Sequence, residues 1–409
     1  MSIEIRPITE KDLPEFVAVA SLSFASHPEE QAVEDAKLFF QPGRGLAAFD
    51  GGTMVGTAGS LAFELTLPGL TMTPAAGVTE VGVKPTYRRR GILTKMMRYQ
   101  LDRLQAEGES VAILYASESL IYGRFGYGLA STQTELSIDT RHSAFNRAPE
   151  SDGSIALIDK SEAETALPAI YDRFRRQQPA ALSRPPEYWK MEFKDRERWR
   201  HGASANFYAV YTSAGGEPQA FAVYRVKSNW DSGFPSHTLQ IGDMAATSPE
   251  AWAAIWRYCL SVDLVGTVEA GNQPLDEPAR WMLLDPRRLQ TTALRDSLWL
   301  RVLDVPKALS ARGYSSEGDL VISITDPFCP GNDGSYALSV QGGEGTACWT
   351  EKEADLAMQI DDLGAAYLGG VRFSTLARAG RVEERSSGAL LRADAMFSSD
   401  PLPYCTTHF

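Results

Sequence analysis

The chain has 409 residues, 44% of them hydrophobic and 22% charged, a composition that excludes disorder as its main state. At roughly 100–200 residues per domain it holds two to four domains, with three the central expectation. Its net charge of −12 disfavours nucleic acid and anionic lipid as partners unless a basic patch is hidden, and suits a cationic small molecule or a lysine side chain. The excess is uneven, with 16 acidic against 9 basic residues from position 296 onward. No run approaches the 18 or so apolar residues of a membrane span. The start, MSIEIRPITE, lacks the basic and apolar regions of a secretory signal. Four cysteines (Cys259, Cys329, Cys348 and Cys405) with no CxxC pair indicate neither a disulfide scaffold nor a metal site, and fit a reducing cytoplasm.

The first 147 residues alternate strands and helices. Ile3 to Arg6 reads as a short strand, and Thr9 with Asp12 as a capping box opening a helix through Ser23. Leu46–Phe49 and Met54–Phe63 form a hairpin around Asp50-Gly51-Gly52, and Val78–Val83 is a further strand. From Ile92 the spacing turns helical, with Leu93, Met96, Met97, Leu101 and Leu104 on one face until Gly108. Val111–Tyr115 is wholly apolar, as in a sheet covered on both faces.

Pro149 to Gly153 is loop chemistry and marks a first boundary near 147. Residues 148–295 repeat part of the first pattern: a hairpin (Asn206–Tyr211, Ala220–Val226), a strand (Leu239–Met244) and a helix opened by Ser248-Pro249. The second strand-to-helix turn, Ala245 to Pro249, has neither glycine nor arginine. A third unit is expected over 296–409. It has strands at Leu298–Leu303 and Leu320–Thr325, a hairpin from Tyr336 to Trp349, and helices at 372–379 and 386–397. The fold class expected is α+β.

One stretch carries chemistry: Val81-Gly82-Val83-Lys84-Pro85-Thr86-Tyr87-Arg88-Arg89-Arg90-Gly91-Ile92-Leu93-Thr94. A strand ends, an Arg-x-x-Gly turn follows and a long helix starts. The unpaired N–H groups of a first helical turn make an anion site at the positive end of the dipole, and glycine lets a pyrophosphate approach. A solvated basic helix start is the plainer reading of the arginines alone.

VGVKPTYRRRGILTKMM resembles the acetyl-coenzyme A motif of the GNAT N-acetyltransferases, with Leu93 in place of the usual second small residue. Together with ASESLIYGRFGYG and the terminal phenylalanine, it resembles the Eis (enhanced intracellular survival) family over the whole chain. The resemblance implies a GNAT domain over 1–147, a degenerate GNAT-like domain over 148–295 and a sterol-carrier-protein-like domain over 296–409. It implies an acetyl-CoA-dependent enzyme, a homo-hexamer, that acetylates cationic amines such as aminoglycosides and lysine side chains.

The resemblance also implies roles. Cofactor contacts fall on Val81, Gly82, Val83, Arg89, Arg90, Gly91, Ile92, Leu93, Thr94, Ser117 and Glu118. Tyr122 is the general acid, and the general base is the carboxylate of the last residue, Phe409. A tyrosine of pKa near 10 can protonate a departing thiolate of pKa near 8.5; Tyr127 is the competing tyrosine. A terminal carboxylate of pKa near 3.5 is a poor base unless desolvated or crowded by acids. Pro401, Pro403, Tyr404 and Phe409 suit a tail that is held in place. His408 and Glu80, expected with Phe24 among the substrate-binding residues, are also rival proton acceptors; direct transfer requires no covalent nucleophile, so Cys405 near the terminus need not be catalytic. The acids Glu29, Glu30, Glu34 and Asp35 read as a solvated helix face or as an acidic wall beside Phe24 of an amine pocket. Two alternatives stand beside this reading: a GNAT protein-lysine or polyamine acetyltransferase with Glu80 as base, and a lipid carrier with relic GNAT domains.

Overall fold

The computed structural model describes residues 3–409 and divides the chain into two compact units. The first comprises the N-terminal segment to Ser131, then Ser297–Asp400 and the last two residues; the second comprises Thr132–Asp296 and Pro401–Thr407.

In the first unit the N-terminal strands are β1 (Ile3–Pro7), β2 (Gly45–Asp50), β3 (Thr53–Thr66), β4 (Met72–Val83), β5 (Val111–Tyr115) and β6 (Gly128–Leu129). Its helices are α1 (Leu13–Ser23), α2 (Ala32–Phe39), α3 (Ile92–Ala106) and α4 (Ser119–Tyr122). The sheet runs β1-β2-β3-β4-β5, then the strand Leu298–Val302, then β6. Strands β1 to β4 are antiparallel, and β4 runs parallel to β5. The Thr9–Asp12 capping box is present, with the Thr9 N–H donating to Asp12 at 2.8 Å, and α1 follows it. The buried face of α3 is Ile92, Met96, Met97, Gln100, Leu101 and Leu104, close to the periodicity expected; Gln100 earns burial by donating to the Gly59 carbonyl at 2.9 Å.

A second, five-stranded sheet in this unit comprises Gly318–Thr325, Gly334–Gln341, Glu344–Thr350, Leu356–Gln359 and Val382–Glu384. It is joined to the first sheet through the strand Leu298–Val302. Arg301 on that strand and Asp326 form a fully buried ion pair, and Asp326 also accepts from the Cys329 N–H and the Asn332 amide, each at 2.9 Å. A strand from Leu298 to Leu303 was expected to open the third unit. It pairs instead with β5 and β6, and its Trp299 packs against the core that holds Met97, Leu101 and Leu104 of α3 and Tyr122 of α4.

The second unit holds a seven-stranded sheet ordered Gln290–Asp296, Thr132–Asp139, Val265–Gln273, His237–Ala246, Pro218–Lys227, Phe207–Thr212, Ser154–Ile158. The internal repeat is visible: hairpin, strand, helix Pro249–Cys259 and a parallel strand recur in the order of β2/β3, β4, α3 and β5. Sheet membership changes hands after Ser131 and again after Asp296, so the boundary expected at 147/148 lies beyond the first crossing. Thr132–Asp139 alternates buried and half-buried residues, a pattern that serves either sheet equally.

The chain end is held. In the second unit the buried Arg184 guanidinium donates to the Thr406 carbonyl at 3.1 Å and to the Thr406 and Thr407 hydroxyls at 2.8 and 3.0 Å, and pairs with Asp243 at 2.5 Å. Gln178 donates to the Leu402 carbonyl at 2.8 Å, and the buried Tyr404 donates to the Asn272 carbonyl at 2.7 Å. No helix among the described residues is long and apolar enough to cross a membrane.

Candidate active site

The site arises from two irregularities in the first sheet. The parallel ladder between β4 and β5 covers only Ala75–Gly77 and Val111–Ile113. Beyond it the two strands part, so the β4 edge from Val78 onward has no ladder partner in β5. The second irregularity is a bulge: Thr57 opposes Gly82 and Gly59 opposes Thr79, leaving Ala58 opposite both Glu80 and Val81. A bulge of this kind re-aims a side chain. Glu80 takes a positive φ of 54°, and the Thr57 hydroxyl pins its carbonyl at 2.8 Å.

A cleft of about 280 Å³ opens where the strands part. It is lined by Phe24, Glu80, Val81, Tyr115, Ser117, Tyr122 and Phe409, with Val78, Thr79 and Ala116. Six residues singled out in the sequence therefore meet in one place: Phe24, Glu80, Val81, Ser117, Tyr122 and Phe409. Glu80 reaches solvent through the open mouth, yet heavy atoms crowd it on its other sides, and this desolvation pushes its carboxyl above the ordinary value.

Tyr122 ends the short helix α4 and is buried. Burial pushes its phenol up, against the hydrogen bond with Ser117, so it keeps its proton at neutral pH. Tyr127 lies in T-shaped contact, 6.0 Å from Tyr122 between ring centroids. It is fully buried, its hydroxyl has no hydrogen-bond partner, and it is absent from the cleft lining. The competing tyrosine thus belongs to the core.

Phe409 sits half-buried at the cleft, its ring 5.0 Å from Phe63 and 5.3 Å from Tyr115. His408 is exposed, its ring tilted against Tyr115 with 4.6 Å between centroids, and is not among the lining residues. Cys405 is buried in the second unit, its thiol 3.6 Å from the Thr407 carbonyl. The acids at positions 29, 30, 34 and 35 do not line the cleft; Glu34 pairs with Lys37 at 2.7 Å on an exposed face of α2. Tyr115 and Thr79 are, with Val78 and Ala116, the four cleft residues that sequence reasoning missed. A terminal tyrosine on an otherwise apolar strand was the available signal for the first; nothing in the pattern marks the second.

Gly82 and Val83 finish β4, and the arginine turn leads to α3. Arg89 (φ 63°) and Gly91 (φ 74°) both occupy the left-handed region, which suits glycine and strains arginine. Helix α3 has no side-chain cap, and its first backbone bond runs from Lys95 to Gly91. The N–H groups of Ile92, Leu93 and Thr94 precede that ladder. A side chain at Gly91 would meet open space. Arg88, Arg89 and Arg90 are exposed; Arg88 donates to the Ser23 carbonyl at 3.1 Å and Arg90 to the Thr86 carbonyl at 3.0 Å. Open room, unused donors and positive charge fit a pyrophosphate, with a helix-end contribution of roughly 0.3–2 kcal/mol per anionic contact. Glu118 stands at the N-cap of α4, exposed and outside the cleft lining. The equivalent turn in the second unit is closed: Ser248 caps its helix, accepting from the Ala251 N–H at 3.2 Å. That helix satisfies itself and offers an anion less.

Comparison with known proteins agrees with this architecture. Residues 4–130 and 180–302 match GNAT acetyltransferase domain families, and residues 305–406 match a sterol carrier protein domain family. Over 415 residues the chain is 33% identical to the N-acetyltransferase Eis of Mycobacterium tuberculosis, covering 98% of each. The chain belongs to the Eis family of GNAT N-acetyltransferases. The chain is also 40% identical over 362 residues, 88% of each chain, to an uncharacterized N-acetyltransferase of Streptomyces avermitilis. The crystal structure of Eis1 from Mycobacterium abscessus superposes with a TM-score of 0.89 at 33% identity, covering 99% of this chain and all of that one. The chain is thus an N-acetyltransferase with two GNAT domains and a sterol-carrier-like domain, and the reading of it as a lipid carrier with relic GNAT parts falls away.

Proposed function

We propose that this enzyme transfers acetyl from acetyl-CoA to an amine of a cationic acceptor, directly and without a covalent enzyme intermediate. The observation that carries the reading is the return of the last residue, Phe409, to the cleft that already holds Tyr122 and the unpaired edge of β4. Acetyl-CoA, when bound, supplies an activated acetyl group and a thiol leaving group. The α3 N-terminus with Arg89 and Arg90 would hold its pyrophosphate, and Gly82 and Val83 would lead the strand past it. A backbone N–H within Val81–Val83 polarises the acetyl carbonyl, a contribution of about 3–4 kcal/mol. Tyr122 holds a proton on its hydroxyl for the departing sulfur. The Phe409 carboxylate takes a proton from the acceptor's ammonium, leaving a neutral amine whose lone pair attacks the acetyl carbonyl as the thiolate leaves with the Tyr122 proton.

Acidic groups and aromatic faces together suit a cationic acceptor, an aminoglycoside-like polyamine or a lysine side chain. A hexameric assembly and a cytoplasmic location belong to the same reading. A second base has one observation in its favour: Glu80 lies in the cleft, where desolvation raises its carboxyl above the ordinary value. A C-terminal extension separates the two, because it moves the carboxylate and leaves Glu80 in place. It should abolish transfer while sparing coenzyme A binding; full rate in the extended enzyme would exclude Phe409 as the base.

A further inference from the structure

A terminal base needs only the α-carboxylate of the last residue. The ring of Phe409 is extra, yet the first unit is shaped around it. Phe63 stands on β3 opposite Ala75, and Tyr115 is the last residue of β5. Their rings meet Phe409 at interplanar angles of 50° and 61°. At the same point lies Gly77, the last residue of β4 to pair with β5. A Cβ on Gly77 would stand 2.5 Å from Phe63 Cε2 and 2.9 Å from Phe409 Cε2. Gly77 is not among the residues with positive φ, so its backbone does not demand glycine. The absent side chain makes room for the two rings. Glycine inside a strand weakens it and often marks a close approach of another group; here the approaching group is the end of the chain itself.

We infer that Phe63, Gly77 and Tyr115 form a socket for the terminal ring, and that the socket aims the carboxylate through that ring. A chain end without such a tether frays, and a reacting group displaced by about 1 Å can lose on the order of 10²-fold in rate. Phe63 and Gly77 are positioning residues, since they act through Phe409. The inference rests on the terminal-base reading above.

The test is a double-mutant cycle on thiol release from acetyl-CoA, with the untagged full chain. Phe409→Ala keeps the carboxylate at the same chain length and removes the ring. Phe63→Ala removes the socket wall. Each should lower kcat on the order of 10–100-fold and leave coenzyme A affinity within about two-fold. The double variant should be no worse than Phe409→Ala, because Phe63 has nothing left to act through. Phe409→Tyr should recover most of the rate. If the two losses multiply in the double variant, Phe63 acts by another route and the socket is refuted. Phe63→Leu preserves apolar bulk should Phe63→Ala unfold; unchanged kcat in folded Phe63→Leu enzyme would equally overturn the inference. A chain lacking Phe409 separates the two ideas. Loss of transfer there beside full rate in Phe409→Ala would leave the terminal base standing and remove the socket. Full rate in the shortened chain would remove the base and the socket with it.

Discussion

Tyr122 and Tyr127 are five residues apart on a turn rich in glycine, and only Tyr122 faces the cleft. The sequence motif points to Tyr122, but spacing alone could not choose between them, because ring direction depends on where α4 stops and the next turn begins. The consequence is a contrast. Tyr122→Phe should lower turnover by about 10²–10⁴-fold with coenzyme A binding retained. Tyr127→Phe removes a buried hydroxyl that has no partner, a change that costs little or even stabilises; its turnover should stay within about two-fold of the parent by the same reasoning. Steady-state thiol release on both variants checks this, and equal losses would move the acid role away from Tyr122. Glu80 shows the opposite limit of legibility. Its residue type was readable, but its aim comes from a bulge that needs β3 opposite, and no local pattern announces that bulge.

Glycines explain the motif at the next scale. The run Ile121-Tyr122-Gly123-Arg124-Phe125-Gly126-Tyr127-Gly128 was readable as a signature before its reason was. A Cβ on Gly128 would lie 1.9 Å from the Asp361 carbonyl, and one on Gly364 would lie 2.4 Å from the Leu300 carbonyl. The helix Ile360–Ala366 thus rests directly on β6 and the strand Leu298–Val302, backbone against backbone. Gly128→Ala should destabilise the protein by about 3 kcal/mol through overpacking that no rotamer relieves; an unchanged denaturation midpoint would contradict this packing. Hairpins, the capping box and α3 were legible because their signals are local. The exchange of Leu298–Val302 into the first sheet was not, since a short apolar strand fits any sheet interior and long-range pairing leaves no local mark. The early start of β4 at Met72, six residues before the expected Val78, went unread because Pro74 and Gly77 interrupt the apolar run.

For the molecule as a whole, chain order and domain content were legible and the physical units were not, because the first and last thirds share one unit. The second unit carries a pH dependence of its own. Glu277 is buried, its Oε1 accepting from Trp252 Nε1 and the Ala279 N–H, each at 2.8 Å. Burial pushes its carboxyl up to about 7 from an ordinary 4.5. The folded state therefore holds a proton that the unfolded chain has released above the lower value. Stability is fully present below about pH 4.5 and is lost as pH rises toward 7, by roughly 3 kcal/mol in all. Glu277→Gln should erase that loss, so its advantage over the parent should grow from about pH 5 to about pH 8 in denaturant unfolding. A constant difference would mean that Glu277 is already ionised in the fold. In the proposed mechanism, Phe409 completes the acetyl-transfer cleft beside Tyr122. The most direct test is thiol release from acetyl-CoA with polyamine, lysine-peptide and aminoglycoside acceptors, comparing the native terminus with one extended by a few residues. Release with cationic acceptors that vanishes on extension, while coenzyme A still binds, is the predicted result; release that survives the extension would contradict the terminal base and pass that role to Glu80.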